Sequence, residues 1–364
     1  MQILPETGAR PRSLKSRYLI VGGIIVGILA ILYIYQADGS RNIFNRNNNP
    51  VISNAKDTVN RDSVNLSLRP VVLDTVKFDQ LLKALDNGDS SGRWPVKRAY
   101  PLPGAIFPFS RVIAFYGNFY SKKMGVLGEY PTDTMFVKLR AEINKWQKAD
   151  STVPVRPALH YIAVTAQGYP GKGNKYRLRM PFKQIDSLIR MAARINALVF
   201  LDIQVGQSTV QEEVPLLAPY LKMPQVHLGI DPEFSMKTGK KPGTVIGTMD
   251  ANDINYTIKY LTDLVKTNDL PPKILVVHRF TQAMVRDYKD IKPNPEVQVV
   301  IDMDGWGAQS RKLTTYHDYI YKEPVQFTGF KLFYKNDYRE ENSRMMTPVE
   351  VLKLKPRPVY IQYQ

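Results

Sequence analysis

Two carboxylates, two residues apart, follow one of the most apolar runs of the chain. Asp231 and Glu233 stand directly after residues 226–230, which have the composition of a buried strand. Side chains of a strand alternate between its two faces, so Gly229, Asp231 and Glu233 share one face. Burying two acids at the end of an apolar strand costs folding free energy unless the acids are paired or hydrated, so a function is another reason for their presence. In a barrel of parallel strands, that end is where the catalytic groups lie.

Polar side chains also follow the other apolar runs. Asp202 ends the run 197–204, and Asp302 and Asp304 share one parity at the end of the run 297–303. We expect the ends of parallel strands to bring these groups together into a carboxylate-lined pocket. The non-acidic candidates for binding substrate in that pocket are Tyr116, Asn118, Gln204, His278, Trp306, Lys331, Tyr334 and Gln362.

Converging acids raise one another's proton affinity, so a desolvated carboxyl can stay protonated as a general acid. Glycoside hydrolysis needs one such acid and one carboxylate that acts as nucleophile or base. We therefore predict Glu233 as the general acid and Asp302 or Asp304 as the nucleophile or base. Asp231 and Asp202 would tune the pKa values of these catalytic groups or orient their side chains. The alternative is that these acids cap helices or pair with Arg and Lys.

The aromatic candidates add a second element of this chemistry. Tyr116, Trp306 and Tyr334 would contact sugar rings, and His278 would serve as a base or hydrogen-bond partner. His160 and His227 lie deeper in their strands and are interpreted as structural.

The sequence predicts no metal and no other cofactor. Asp202, Asp231, His278 and Asp302 could supply ligands, but no HxH or HExxH spacing supports a site. The chain has no cysteine, which excludes thiolate sites and disulfides. A G-x-S-x-G nucleophile elbow is also missing.

Apolar runs and helical patterns alternate from residue 111 onwards, which predicts a parallel sheet covered by helices. Eight strands with seven intervening helices indicate an α/β fold of the (β/α)8 TIM-barrel type. A doubly wound open sheet is the alternative, but no Gly-rich phosphate loop follows strand one. The predicted strands are 111–117, 159–166, 197–204, 225–231, 273–278, 297–303, 327–333 and 358–363. The predicted helices are 133–148, 181–195, 209–222, 250–266, 280–289, 308–321 and 347–353.

The region before the barrel divides into three parts. Residues 1–17 form a basic tail, residues 18–36 a transmembrane signal anchor, and residues 37–95 a flexible spacer with one helix. That helix, predicted over 72–85, either packs in place of an eighth barrel helix or closes the barrel bottom. Residues 96–364 form the TIM-barrel domain.

The anchor prediction rests on 18 consecutive uncharged positions, 18–35, preceded by four basic residues. The positive-inside rule then places the tail in the cytoplasm and the barrel outside, in a single-pass membrane protein. A cleaved signal peptide is the alternative, but the span ends without small residues. Gly23 and Gly27 match a helix-pairing pattern, which suggests a homodimer through the membrane helix.

The formal net charge of +17 is compatible with binding of nucleic acid. The basic residues are spread along the chain and no nucleic-acid motif is present, so we predict no nucleic-acid partner. A basic extracytoplasmic protein more plausibly contacts anionic cell-surface polymer or lipid headgroups.

The chain carries a set of short motifs at 116–117, 124–129, 201–204, 230–233, 246–250 with Asn255, 277–280, 303–305 and 360–364. Together they resemble a bacterial family of uncharacterised secreted or lipoprotein-type (β/α)8 barrels, abundant in actinobacteria. The resemblance spans about residues 110–364 and implies the barrel fold, but no activity. This chain departs from the lipoprotein members because it has no cysteine for lipidation. The Asp-x-Glu of Asp231 and Glu233 is also similar to glycoside hydrolase family 18 barrels, a weaker analogy.

These observations predict a membrane-anchored, extracytoplasmic barrel of glycoside-hydrolase type that acts on a cell-surface or cell-wall polysaccharide. The alternative is a non-catalytic barrel that binds glycan or protein as a surface or scaffold component.

Overall fold

The computed structural model describes residues 72–364, and a closed barrel of eight parallel strands lies at their centre. The strands run as buried Val/Ile/Leu-rich segments because both of their faces are covered. The first and last barrel strands pair with each other as well as with their other neighbours, so the sheet has no open edge in the ring. The barrel strands are β1 (Arg111–Gly117), β2 (Val155–Ala166), β4 (Leu198–Ile203), β5 (Val226–Ile230), β6 (Lys273–Arg279), β7 (Val297–Met303), β8 (Phe327–Leu332) and β9 (Tyr360–Tyr363), and β3 (Arg177–Arg179) is an additional strand.

The strand registers confirm the geometry of the predicted barrel. Followed once around the ring from Ala114, the partners return to the position of Ile106, eight residues earlier. A shear of eight with eight strands is the arrangement of the (β/α)8 barrel. The eight predicted strands therefore correspond to β1, β2 and β4–β9, with ends that differ by a few residues.

The helices follow the predicted order with two exceptions. The predicted helix 280–289 is wrong, since that stretch forms only two short 3-10 turns, Gln282–Met284 and Tyr288–Asp290. The predicted helix 209–222 is broken by a 3-10 turn at Val214–Leu217. The helices are α1 (Thr75–Ala84), α2 (Val126–Glu129), α3 (Thr132–Ala149), α4 (Phe182–Ala193), α5 (Val210–Glu213), α6 (Ala218–Leu221), α7 (Ala251–Asn268), α8 (Gln309–Tyr316) and α9 (Pro348–Val351).

Helix α1 closes the bottom of the barrel. Asp74 caps its first turn, and Phe78 and Leu82 point from the helix into an apolar cluster at the amino-terminal ends of the strands. Ile106 and Phe107 complete the cluster from the segment before β1. Of the two placements that the sequence allowed for this helix, the structure shows the second.

Strand β3 was not predicted. It pairs antiparallel with the end of β2, and its two arginines, Arg177 and Arg179, bind the buried carboxylate of Glu213. Those ion pairs tie the β2–β3 hairpin to α5.

No helix of residues 72–364 is long and apolar enough to cross a bilayer. The predicted tail, the predicted span 18–36 and most of the predicted spacer lie outside the described residues.

Candidate active site at the carboxyl ends of the strands

Polar side chains fill the barrel interior near the carboxyl ends of the strands. Strand parity turns these residues inward, and the registers place them side by side: Asp202 faces Gly229, His278 faces Asp302, and Asp302 faces Gly329. We call this group the polar layer. Its members are Tyr116, His160, Asp202, Gln204, Asp231, His278, Asp302, Asp304, Lys331, Tyr360 and Gln362, all of them buried.

Asp202 lies at the centre of the polar layer. Its Oδ2 accepts a hydrogen bond from the Tyr116 hydroxyl at 2.8 Å. Its Oδ1 lies 3.4 Å from Nε2 of His160 and 3.5 Å from Nε2 of His278. The two imidazoles outweigh the burial that opposes charge, so the pKa of Asp202 falls below its usual range.

The other ring nitrogen of His278 faces two further acids. Its Nδ1 lies 3.1 Å from Oδ2 of Asp304 and 3.4 Å from Oδ2 of Asp302. Lys331 donates to the same Asp304 oxygen at 3.0 Å, with its ammonium 4.0 Å from the centre of the Tyr116 ring. Burial would raise the pKa of Asp304, but Lys331 and His278 together lower it, so Asp304 is held as a carboxylate.

Two glycines make room for these carboxylates. A Cβ on Gly229 would lie 2.4 Å from Oδ1 of Asp202 and 2.5 Å from Nε2 of His160. A Cβ on Gly329 would lie 2.4 Å from Oδ1 of Asp302. Neither position tolerates a side chain while the neighbouring acid keeps its place.

The Asp231–Glu233 pair that follows β5 lies at the mouth of the polar layer. Gln204 donates to Oδ2 of Asp231 at 3.2 Å, and burial raises the pKa of Asp231 to about 7. Glu233 is half-buried, and no side chain within residues 72–364 bonds to its carboxyl group. Burial, followed by the charges of Asp231 and Asp304, raises the pKa of Glu233 well above its ordinary value.

Five of the predicted binding residues belong to the polar layer, namely Tyr116, Gln204, His278, Lys331 and Gln362. The amide of Gln362 lies 3.1 Å from Nδ1 of His160 and donates to the Tyr360 hydroxyl at 3.0 Å. Gln362 therefore orients other side chains rather than facing the mouth.

Three predicted binding residues lie elsewhere. Asn118 uses its amide to bind Ile162 O and the Tyr120 N–H, which fixes the loop after β1. Tyr334 stacks outside the barrel wall and donates to Glu142 of α3, so it is not a pocket residue. Trp306 is half-buried, with the Arg339 guanidinium 5.6 Å from its ring.

Two members of the polar layer were missed. The interpretation of His160 as only structural does not account for its place beside Asp202, and Tyr360 was not considered. Nδ1 of His160 lies 2.5 Å from the Tyr360 hydroxyl, and burial lowers the pKa of His160 to about 4. The position of His160 and Tyr360 on the inward faces of β2 and β9 could have predicted their place in the polar layer. His227 lies one layer deeper, where its Nδ1 accepts from the Ile274 N–H at 3.1 Å.

Three donor atoms could hold a metal ion. One ligand atom from each of His160, Asp202 and His278 lies within 4.8 Å of the other two, and the three residues stand on three different strands. This set differs from the four residues that the sequence suggested, because His160 replaces Asp231 and Asp302.

Comparisons with known proteins identify no family for this chain. No protein-family model matches it, and no curated protein is similar to it in sequence. Solved structures with a similar chain path include a hyperthermophilic endo-beta-1,4-glucanase in complex with substrate, at 8% identity and a TM-score of 0.33, covering 57% of this chain and 77% of that one. Another is ZgEngAGH5_4 in complex with a cellotriose, at 11% identity and a TM-score of 0.32, covering 62% and 79%. The function of the barrel is therefore inferred from the side chains of the site.

Proposed function

We propose that this barrel hydrolyses glycosidic bonds, with Glu233 as the general acid and Asp304 as the nucleophile or base. The observation that carries the proposal is the contrast between two carboxyl groups at the mouth of one barrel. Glu233 has no partner among the described side chains, whereas Asp304 is held by Lys331 and His278. Acid and base roles are assigned to carboxyl groups whose surroundings differ in this way.

Asp304 is a better choice for the second carboxylate than Asp302. Asp302 is fully buried beneath it, while Asp304 is 8% exposed and lies closer to the mouth. In glycoside hydrolysis the acid protonates the leaving oxygen while the carboxylate attacks the anomeric carbon or activates a water. Asp231 and Asp202 then contribute through charge and hydrogen bonding.

Aromatic residues on the loops at the same end of the barrel support a sugar substrate. Tyr120 follows β1, Tyr169 follows β2 and Tyr338 follows β8, and each of these residues is more than half exposed. Exposed aromatic faces with a polar edge suit amphipathic partners such as pyranose rings. We propose that they contact the glycan chain, together with Trp306.

The test uses the full chain and a panel of cell-surface and cell-wall polysaccharides. We expect release of reducing ends by the wild type and a fall in kcat of about 100-fold or more for Glu233→Gln, the usual effect of removing a general acid. Glu212→Gln is the control, because Glu212 is an exposed carboxylate on α5. If the wild type releases no more reducing ends than Glu233→Gln, the barrel is instead a binding platform for glycan or protein.

The cellular setting belongs to the same proposal. We propose that residues 18–36 anchor the chain in the membrane, with the barrel outside and a homodimer formed through the membrane helix. The uncharged run and the basic residues before it support this topology. Protease added to intact cells should digest the barrel and leave the tail protected.

A further inference from the structure

Three buried donor atoms converge on one point inside the polar layer. Nε2 of His160 and Nε2 of His278 lie 3.4 and 3.5 Å from Oδ1 of Asp202. All three side chains are fully buried, and none of these three atoms makes a hydrogen bond of acceptable geometry within residues 72–364. Buried polar atoms are ordinarily satisfied, so three orphans facing one another need an explanation.

The two separations from Oδ1 of Asp202 to the imidazole nitrogens match the edges of a metal coordination shell. Ligand atoms bound tetrahedrally at the distances typical of zinc lie about 3.3–3.4 Å apart. Two imidazole nitrogens and one carboxylate oxygen form a ligand set suited to a divalent first-row metal, and a three-residue set leaves a fourth position for water or substrate oxygen.

Polar groups also lie behind the two imidazoles, next to their other ring nitrogens. Nδ1 of His160 lies 2.5 Å from the Tyr360 hydroxyl, and Nδ1 of His278 lies 3.1 Å from Oδ2 of Asp304. With the ring protons on Nδ1, both Nε2 atoms turn lone pairs toward the Asp202 carboxylate. Carboxylate or hydroxyl partners of this kind orient metal-binding histidines in known sites.

The polar layer is also rich in carboxyl groups, which favours a bound cation. Four aspartates, Asp202, Asp231, Asp302 and Asp304, share the layer with one lysine, Lys331, and with the imidazoles of His160 and His278. Buried charges are stable only when paired or coordinated to a metal. Gly229 leaves open the space beside Asp202 and His160 that a Cβ would fill.

We propose that His160, Asp202 and His278 form a site for one divalent first-row metal ion of the Zn²⁺ class. The proposal does not depend on the glycosidase chemistry of Glu233. Metal content and glycan hydrolysis are measured separately, so either can fail alone.

The experiment measures metal in the purified full chain. The chain is treated with chelator, dialysed and titrated with ZnCl2 by calorimetry and with CoCl2 by visible absorption. We expect one equivalent of either ion per chain, with visible cobalt bands typical of nitrogen and oxygen ligands. His160→Ala and Asp202→Asn should lose the bound equivalent, and Tyr360→Phe should weaken Zn²⁺ binding by about 10-fold or more.

His227→Asn is the matched control. It removes a buried histidine from the same barrel interior, while the Asn oxygen can accept from the Ile274 N–H in place of the ring nitrogen. This variant should keep the full equivalent of metal. A folded wild type that takes up neither ion, or site variants that bind with wild-type affinity, would overturn the proposal. The wild-type cobalt spectrum decides the matter if the site variants do not fold.

Discussion

Lys331 stabilises the negative charge of the barrel interior through a single short contact. Its ammonium donates to Asp304 at 3.0 Å, and both side chains are almost fully buried. In Lys331→Met the carboxylate loses this partner while staying out of water. Removing one member of a buried pair costs about 3–5 kcal/mol, and we expect a loss of that size in the free energy of unfolding, measured by urea titration.

Lys335→Met is the control for this prediction. Lys335 forms an exposed pair with Glu129, and exposed pairs contribute about 1 kcal/mol or less. Adding Asp304→Asn to Lys331→Met should restore part of the lost stability, because the buried carboxylate that lost its ammonium partner is then replaced by a neutral amide. Equal unfolding free energies for the Lys331→Met and Lys335→Met variants would contradict the burial argument.

The acids of the site could be predicted from the sequence because parity is a local property of a strand. Asp202, Asp231 and Asp302 each follow an apolar run on its inward face, and the structure turns all three inward. His160 could not be placed in the same way. Its level in the barrel depends on the stagger between β1, β2 and β4, including the register shift between Ile162 and Val164, which no single strand encodes.

At the scale of the elements, α1 closes the barrel bottom and stabilises the fold through the buried face of the helix. Phe78 is 5% exposed within the apolar cluster at the barrel bottom, whereas Val76 on the same helix is 68% exposed. Phe78→Ala should lower the free energy of unfolding by about 3–5 kcal/mol, the usual cost of truncating a core phenylalanine.

Val76→Ala provides the comparison, since it shortens an exposed side chain two residues away. Its cost should stay within about 0.5 kcal/mol. Both variants are compared by thermal and urea unfolding. If Phe78→Ala is no more costly than Val76→Ala, α1 does not contribute to the stability of the barrel.

The strands and long helices could be predicted because their periodicity reflects burial, and the failures have local causes. Over 280–289 the buried guanidinium of Arg279 binds the carbonyls of Thr281, Gln282 and Val285, which a helix would need for its own bonds. Over 209–222, Pro215 and Pro219 supply no N–H, and the helix breaks into short turns.

At the scale of the whole molecule, Lys273 makes stability depend on pH. Its side chain is fully buried and donates to the carbonyls of Met223 and Val226, and burial lowers its pKa from 10.5 to about 7. Between these two values the unfolded chain binds more protons than the folded one, so stability should rise with pH in that window. Below pH 7 both states are protonated and the contribution of Lys273 is constant.

Lys273→Met should flatten the rise, as measured by unfolding free energies at intervals from pH 6 to pH 10.5. Lys240→Met, a change at an exposed lysine, should leave the wild-type slope in place. If the Lys273→Met profile overlays that of the wild type across the window, burial of Lys273 does not cause the pH dependence.

The pairing of β1 with β9 has a consequence for how the chain is made. The ribosome releases β1 early, but β1 gains its second neighbour only when Tyr360–Tyr363 emerge, almost the whole barrel later. Until then β1 and β8 each present a row of free backbone groups, which can pair with other strands. Contacts so distant in sequence also slow folding. A nascent or prematurely stopped chain thus has a sheet that is open between β1 and β8. Synthesis that stalls before β9 should therefore favour aggregation and increase the need for chaperones.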